Sequence, residues 1–181
     1  MARLFVSLRP PAPVRDALID AQGGVEGARW QDDDQLHLTL RFIGEVDTRI
    51  TQDIIDALSA VTAPSFTLAV RGVGHFERRG RPHSLWAGLA PSPPLEGLQR
   101  KVERACQVAG LPPEPRKFAP HVTLARTRGT QVGLAGWLAA YGPLAAPEWR
   151  VSSFRLYDSR LGSGGSVYTA VAEWPLDPPE H

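Results

Sequence analysis

The 181-residue chain predicts an α+β fold built from a repeated unit. Segments with strand-like alternation and helix-like spacing follow one another, and their order recurs along the chain. The tetrapeptide His37-Leu38-Thr39-Leu40 also returns eighty-four positions later as His121-Val122-Thr123-Leu124. The expected order is strand, helix, strand, helix, strand, strand, helix, strand, helix, strand, strand, a duplicated strand-helix-strand unit with antiparallel pairing.

Arg3 to Leu8 alternates charged and apolar residues as a first strand does, and Pro10-Pro11-Ala12-Pro13 opens a helix to about Ala21. From Gln35 to Val46 the alternation predicts Leu36, Leu38, Leu40 and Phe42 on one face and His37, Thr39, Arg41 and Ile43 on the other. Ile50, Ile54, Ile55, Leu58 and Val61 mark a helix over 48–61, with Asp47 as its N-cap. Strands are expected over 66–76 and 83–89, joined by Glu77-Arg78-Arg79-Gly80-Arg81-Pro82, a loop that suits either an RNA-contacting arm or a solvated hairpin tip. Leu95, Leu98, Val102, Ala105 and Ala109 form the stripe of a helix ending near Gly110. The second histidine strand is expected over 118–127, then a short helix over 132–141 and strands over 149–158 and 166–174.

Composition is that of an ordinary globular chain, long enough for one domain or two packed lobes; one domain over 1–181 is expected. No apolar run is long enough to span a bilayer, and Met1 to Arg9 is too short and too quickly charged for a signal peptide, so a cytoplasmic protein is expected. The single cysteine, Cys106, excludes an internal disulfide and reads as a small buried helix residue. Net charge is +1, but residues 71–128 hold eleven Lys and Arg against four Asp and Glu. Such a basic stretch suits an anionic partner such as an RNA end.

In a strand, His and Thr at i and i+2 share a face while the intervening Leu or Val points into the core. Each copy therefore presents one imidazole and one hydroxyl to the same side. A free imidazole titrates near pH 6.5 and can both take and give a proton at neutral pH. Two of them across a cleft match the in-line opening of a cyclic phosphodiester, which needs a base for water and an acid for the leaving sugar oxygen. The Thr39 and Thr123 hydroxyls can donate to the non-bridging oxygens, and a guanidinium nearby would add to this. One His-X-Thr-X is a weak pattern; two on matching strands are a much stronger one. Neither histidine has other ligands at metal-binding spacings, Asp32-Asp33-Asp34 falls in the preceding turn, and no phosphate loop or dinucleotide fingerprint occurs, so neither metal nor cofactor is expected. His75 and His83 read as strand-end residues and His181 as a loose terminus.

At these residues the chain resembles the two-histidine phosphoesterase superfamily, and within it the RNA 2',3'-cyclic phosphodiesterase (2'-5' RNA ligase) family. The resemblance runs from Arg3-Leu4-Phe5-Val6-Ser7-Leu8-Arg9-Pro10-Pro11 through Leu36 to Val46, Leu85-Trp86-Ala87-Gly88 and Phe118 to Arg126, ending at Leu156-Tyr157-Asp158-Ser159. It implies a bilobed fold, two antiparallel sheets facing a central groove with helices outside. It also implies His37 as proton donor, His121 as proton acceptor, and a substrate of RNA with a 2',3'-cyclic phosphate end opened to a 2'-phosphate without a metal. Joining of tRNA halves through a 2'-5' linkage, and a monomeric enzyme, belong to the same expectation. The family's phosphate-binding arginine after the second motif falls on Arg126. In an ideal strand Arg126 faces away from His121 and Thr123, whereas Arg41 is in phase with His37 and Thr39. Either a bulge re-aims Arg126 or Arg41 does more of the work. The alternatives are a non-catalytic RNA-end or nucleotide-binding module, or a phosphodiesterase for another small cyclic or 2'-5'-linked nucleotide.

Overall fold

Leu4, Val6 and Leu8 of β1 (Ala2–Leu8) enter the hydrophobic core, as the alternation at the start of the chain requires, and Phe5 and Ser7 on its other face are buried too. The computed structural model describes residues 1–129 and 131–178, so His181 lies outside the described residues. Beyond β1 come α1 (Ala12–Asp20), β2 (Ala28–Trp30), β3 (Leu38–Val46), α2 (Thr48–Ser59), β4 (Phe66–Leu68), β5 (Val70–Arg78) and β6 (Arg81–Leu89). The second part of the chain supplies α3 (Pro93–Val108), β7 (His121–Thr127), α4 (Leu134–Tyr141), β8 (Trp149–Val151), β9 (Ser153–Gly162) and β10 (Gly165–Pro175). Asp47 caps α2 by accepting from Ile50 N at 2.8 Å, and the Ser92 hydroxyl accepts from Leu95 N at the start of α3. The helices place Val14, Leu18, Ile54, Leu58, Leu95, Leu98, Val102 and Trp137 in one core with the inward residues of the strands. No helix among the described residues is long and apolar enough to cross a membrane.

The strands run β10-β9-β1-β3-β7-β6-β5, with β2 added to β7. Hydrogen bonding links two four-stranded antiparallel halves through a single β3–β7 pair, Leu38 with Val122. These are equivalent residues of the two tetrapeptides, so the repeats meet about a local twofold axis. Around it β3 corresponds to β7, β1 to β6 and β9 to β5. The lobes exchange strands: β5 follows β3 in the chain but joins the half-sheet of β6 and β7, while β9 joins β1 and β3. Each crossing is preceded by a three-residue strand, and these two, β4 and β8, pair as a separate small sheet.

Several sequence boundaries shift. The expected strands at 66–76 and 149–158 are each broken in two, which creates β4 and β8. The first histidine strand starts at Leu38 because Asp33–Gln35 forms a 3-10 turn, capped by Asp32; the second starts at His121. The expected loop 77–82 is mostly strand, with Arg79 and Gly80 alone turning at φ 55° and 75°. Both residues at positive φ is what a tight hairpin turn needs, and glycine takes it without strain.

The largest departure lies in β3. Thr39 pairs with Ser7 and Arg41 with Val6, leaving Leu40 as the extra residue of a bulge. The same happens in β7, where Thr123 pairs with Trp86 and Ala125 with Leu85, leaving Leu124 as the extra residue. The ladder loses a carbonyl partner at each bulge, and other elements replace it: Gln99 Nε2 donates to Leu40 O at 3.3 Å and Gln31 N to Leu124 O at 2.8 Å. After the bulge the phase inverts. Arg41 is therefore 7% exposed, and Phe42, expected to be inward, is 41% exposed. The Arg41 guanidinium donates to Glu103 of α3 and to the Phe42 and Pro112 carbonyls, with Glu114 at 3.7 Å.

Removing one partner of a buried ion pair strands the other charge. Glu103→Ala is expected to lower unfolding free energy by about 3 kcal/mol in urea titration, and Arg41→Met with Glu103→Leu to recover most of it. A loss within about 0.5 kcal/mol, the range of an ordinary surface substitution, would show that the pair does not hold α3 on the sheet.

Candidate active site

The Leu38–Val122 pair determines what surrounds it. Both side chains are fully buried, so the residues on either side, His37 just before β3 with Thr39 on it, and His121 and Thr123 on β7, turn to the opposite face. That face is a groove with two chambers. The first, about 580 Å³, is lined by His37, Thr39 and Thr123 together with Arg3, Tyr168 and Arg126. The second, about 730 Å³, is lined by His121 with Thr39, Thr123, Phe76, Arg126 and Lys117. Both hydroxyls and Arg126 thus line both chambers, and each imidazole lines one.

His37 is 7% exposed and walled by edge-on aromatic rings, with Tyr157 at 4.6 Å, Tyr168 at 5.4 Å and Phe5 at 6.0 Å between centroids. Burial lowers its pKa to about 4, and the cations of Arg9, Arg155 and Arg15 push the same way. The Gln35 carbonyl opposes the shift from nearby but does not reach hydrogen-bond geometry, and neither ring nitrogen has a partner among the described residues. The loop before His37 is pinned: Arg9 Nη1 donates to the Asp33 and Leu36 carbonyls at 2.8 and 2.7 Å, and Gln35 Nε2 donates to Ser166 O on β10 at 2.9 Å.

His121 sits against Phe76 at 4.9 Å and Trp86 at 6.2 Å. The Trp86 indole lies across Gly74 of β5, where a Cβ would stand 2.3 Å from the ring. His121 Nδ1 lies 2.7 Å from Ala119 O. A carbonyl only accepts, so Nδ1 carries the hydrogen and Nε2 is left as the basic nitrogen. Burial and Arg126 hold this imidazole below its usual pKa, against the Ala119 hydrogen bond.

The bulges decide the arginines. Arg126 follows the Leu124 bulge, rejoins the groove face and lines both chambers, and its guanidinium has no ion-pair partner among the described residues. Arg41, in phase with His37 by simple counting, is turned the other way by the Leu40 bulge and is occupied by Glu103. Its place in the groove is taken by Phe42, the positional equivalent of Arg126, stacked at 7° on Phe5 with Arg3 over its ring. His75 pairs with Glu77 at 3.2 Å, and His83 lines the second chamber. Cys106 is fully buried, and burial pushes its thiol up to about 11.

Residue-by-residue reading missed Phe42, Tyr157, Tyr168, Arg29 and Arg128. The first could have been found by aligning the two copies, which sets Phe42 against Arg126. The tyrosines could not, because β9 and β10 reach the first lobe only through strand exchange. Among the described residues, no three His, Cys, Asp or Glu side chains cluster so as to hold a metal ion.

Comparison with known proteins agrees with the duplication. One family model, LigT like Phosphoesterase, matches the chain twice, over residues 8–86 and 89–168. An Aeropyrum pernix protein named RNA 2',3'-cyclic phosphodiesterase is 35% identical, covering 90% of this chain and 92% of its own. A protein of the same name from Thermus thermophilus is 33% identical over 96% of this chain and 90% of its own. The crystal structure of Escherichia coli LigT complexed with 3'-AMP superposes with a TM-score of 0.78 at 26% identity, covering 97% of this chain and 98% of that one. With both of its repeats matching that model, the chain belongs to the LigT-like phosphoesterase family.

Proposed function

We propose that the groove hydrolyses RNA 2',3'-cyclic phosphate ends to 2'-phosphates, with His121 as proton acceptor and His37 as proton donor. The observation that carries this is the pairing of Leu38 with Val122, which brings two imidazoles and two hydroxyls to one face. Water attacks phosphorus as its proton passes to Nε2 of His121. The bond to the 3'-oxygen breaks on the far side, and His37 supplies the proton that this oxygen needs. Thr39, Thr123 and Arg126 donate to the non-bridging oxygens, where charge accumulates. No step calls for a metal or cofactor.

Before substrate binds, burial keeps His37 neutral at pH 7. An anionic phosphodiester beside it favours the imidazolium, so the donor charges as substrate enters. The fixed tautomer of His121 supports its role as acceptor. With a 5'-hydroxyl in place of water the same exchange forms a 2'-5' linkage, as between tRNA halves. On this reading the protein acts as a cytoplasmic monomer.

In excess EDTA a short RNA with a cyclic end is expected to yield the 2'-phosphate. His37→Ala and His121→Ala should each slow it by about 10²–10⁴. Activity lost to the chelator, a 3'-phosphate product, or full activity in either variant would refute the assignment. Arg126→Ala is expected to reduce kcat/KM by about tenfold to a hundredfold at unchanged thermal stability, the worth of a charged hydrogen bond; an unchanged value removes it from the phosphate site. Both imidazoles titrate below 6.5 in the free protein, so the kcat/KM profile should peak below pH 6.5. The kcat profile should peak at higher pH, since bound phosphate raises the donor. Coincident optima would contradict proton uptake on binding.

A further inference from the structure

β2 breaks the twofold symmetry: the residues eighty-four positions after it form no strand. It pairs with β7 in a register that sets Arg29 directly opposite Arg126. Like charges facing each other across a ladder repel, and neither guanidinium has a carboxylate partner among the described residues. Arg128, just past β7 and tied by its N–H to Gly27 O at 2.9 Å, lines the same first chamber, as does Arg3. Among the described residues, no Asp or Glu lines that chamber.

The second chamber is different. Its Arg41 is matched by Glu103 and Glu114, its Arg116 is paired with Glu114 at 3.1 Å, and Glu77 also lines it. Arg78 and Lys117 also line it without a carboxylate partner among the described residues, but its three acids leave an excess of two cations against four in the first chamber, so uncompensated positive charge is greater on the His37 side. Four exposed arginines with no acid beside them among the described residues, two of them directly opposite in register, make this chamber suited to an anion.

We infer that the first chamber binds a second phosphate, the one on the 5' side of the nucleotide that carries the cyclic phosphate. Arg29 and Arg128 are its ligands, and Arg126 lies between the two phosphates. The substrate class is then a 5'-phosphorylated or chain-internal nucleotide ending in a cyclic phosphate, in preference to the bare cyclic nucleoside phosphate. The inference rests on the proposed reaction for the identity of the first phosphate.

The test compares adenosine 2'-monophosphate with adenosine 2',5'-bisphosphate by calorimetry. In parallel, it compares kcat/KM for adenosine 2',3'-cyclic phosphate with and without a 5'-phosphate. The 5'-phosphate is expected to improve both quantities by about tenfold to a hundredfold, the worth of one or two charged hydrogen bonds. Arg29→Ala with Arg128→Ala should bring the ratio to about one, and Arg116→Ala with Lys117→Ala, in the other chamber, should preserve it. A wild-type ratio near one, a ratio that survives the first double variant, an equal loss in the second, or no binding of either nucleotide overturns the inference. If the cyclic nucleotides bind without turnover, the proposed reaction fails while the calorimetric ratio still decides the subsite.

Discussion

Two half-sheets held together by one residue pair must keep that pair in register, because every groove-facing residue of the two tetrapeptides is counted from it. Leu38 and Val122 face each other across the local twofold axis, both fully buried, and a slip by one position would move every side chain on one strand to the opposite face. His37, Thr39, His121 and Thr123 would leave the groove together. The core residues around the pair, Leu36, Leu40 and Leu124, oppose such a slip because burial is available to them only in the observed phase.

A symmetric frame here holds unequal groups. His37 is enclosed by aromatic rings and three nearby cations, whereas His121 is tied to a backbone carbonyl. Phe42 and Arg126 occupy equivalent positions after equivalent bulges, so one wall of the groove is apolar where the other is cationic. The β2 strand adds positive charge on the His37 side alone. The two halves thus share a backbone pattern and differ in the environment each gives its histidine.

The histidine and threonine positions were legible in the sequence because period-two alternation holds from His37 to Thr39 and from His121 to Thr123. It fails one residue later, where Leu40 and Leu124 each absorb an extra position. Nothing in Leu-Arg-Phe or Leu-Ala-Arg announces a bulge, since what stabilises it is a donor from elsewhere, Gln99 in one copy and the Gln31 amide in the other. The same limit applies to β4 and β8, whose three residues are too few to show a period and whose pairing, Phe66 with Val151, joins segments far apart in the chain. Helices 2 and 3 were readable almost to the residue, because cap and apolar stripe are local signals.

The exchange of β5 and β9 between lobes has a consequence for the origin of the architecture. A chain consisting of the first repeat alone would expose the edge of β1 that β9 now covers, and would carry β5 with no sheet of its own to join. Two copies could each lend that strand to the other, which would cover both edges and bring two identical tetrapeptides together about a true twofold axis. The present chain has the topology of such a strand-swapped dimer made continuous. In one continuous chain, unlike in such a dimer, the two halves can differ residue by residue, as Phe42 and Arg126 do.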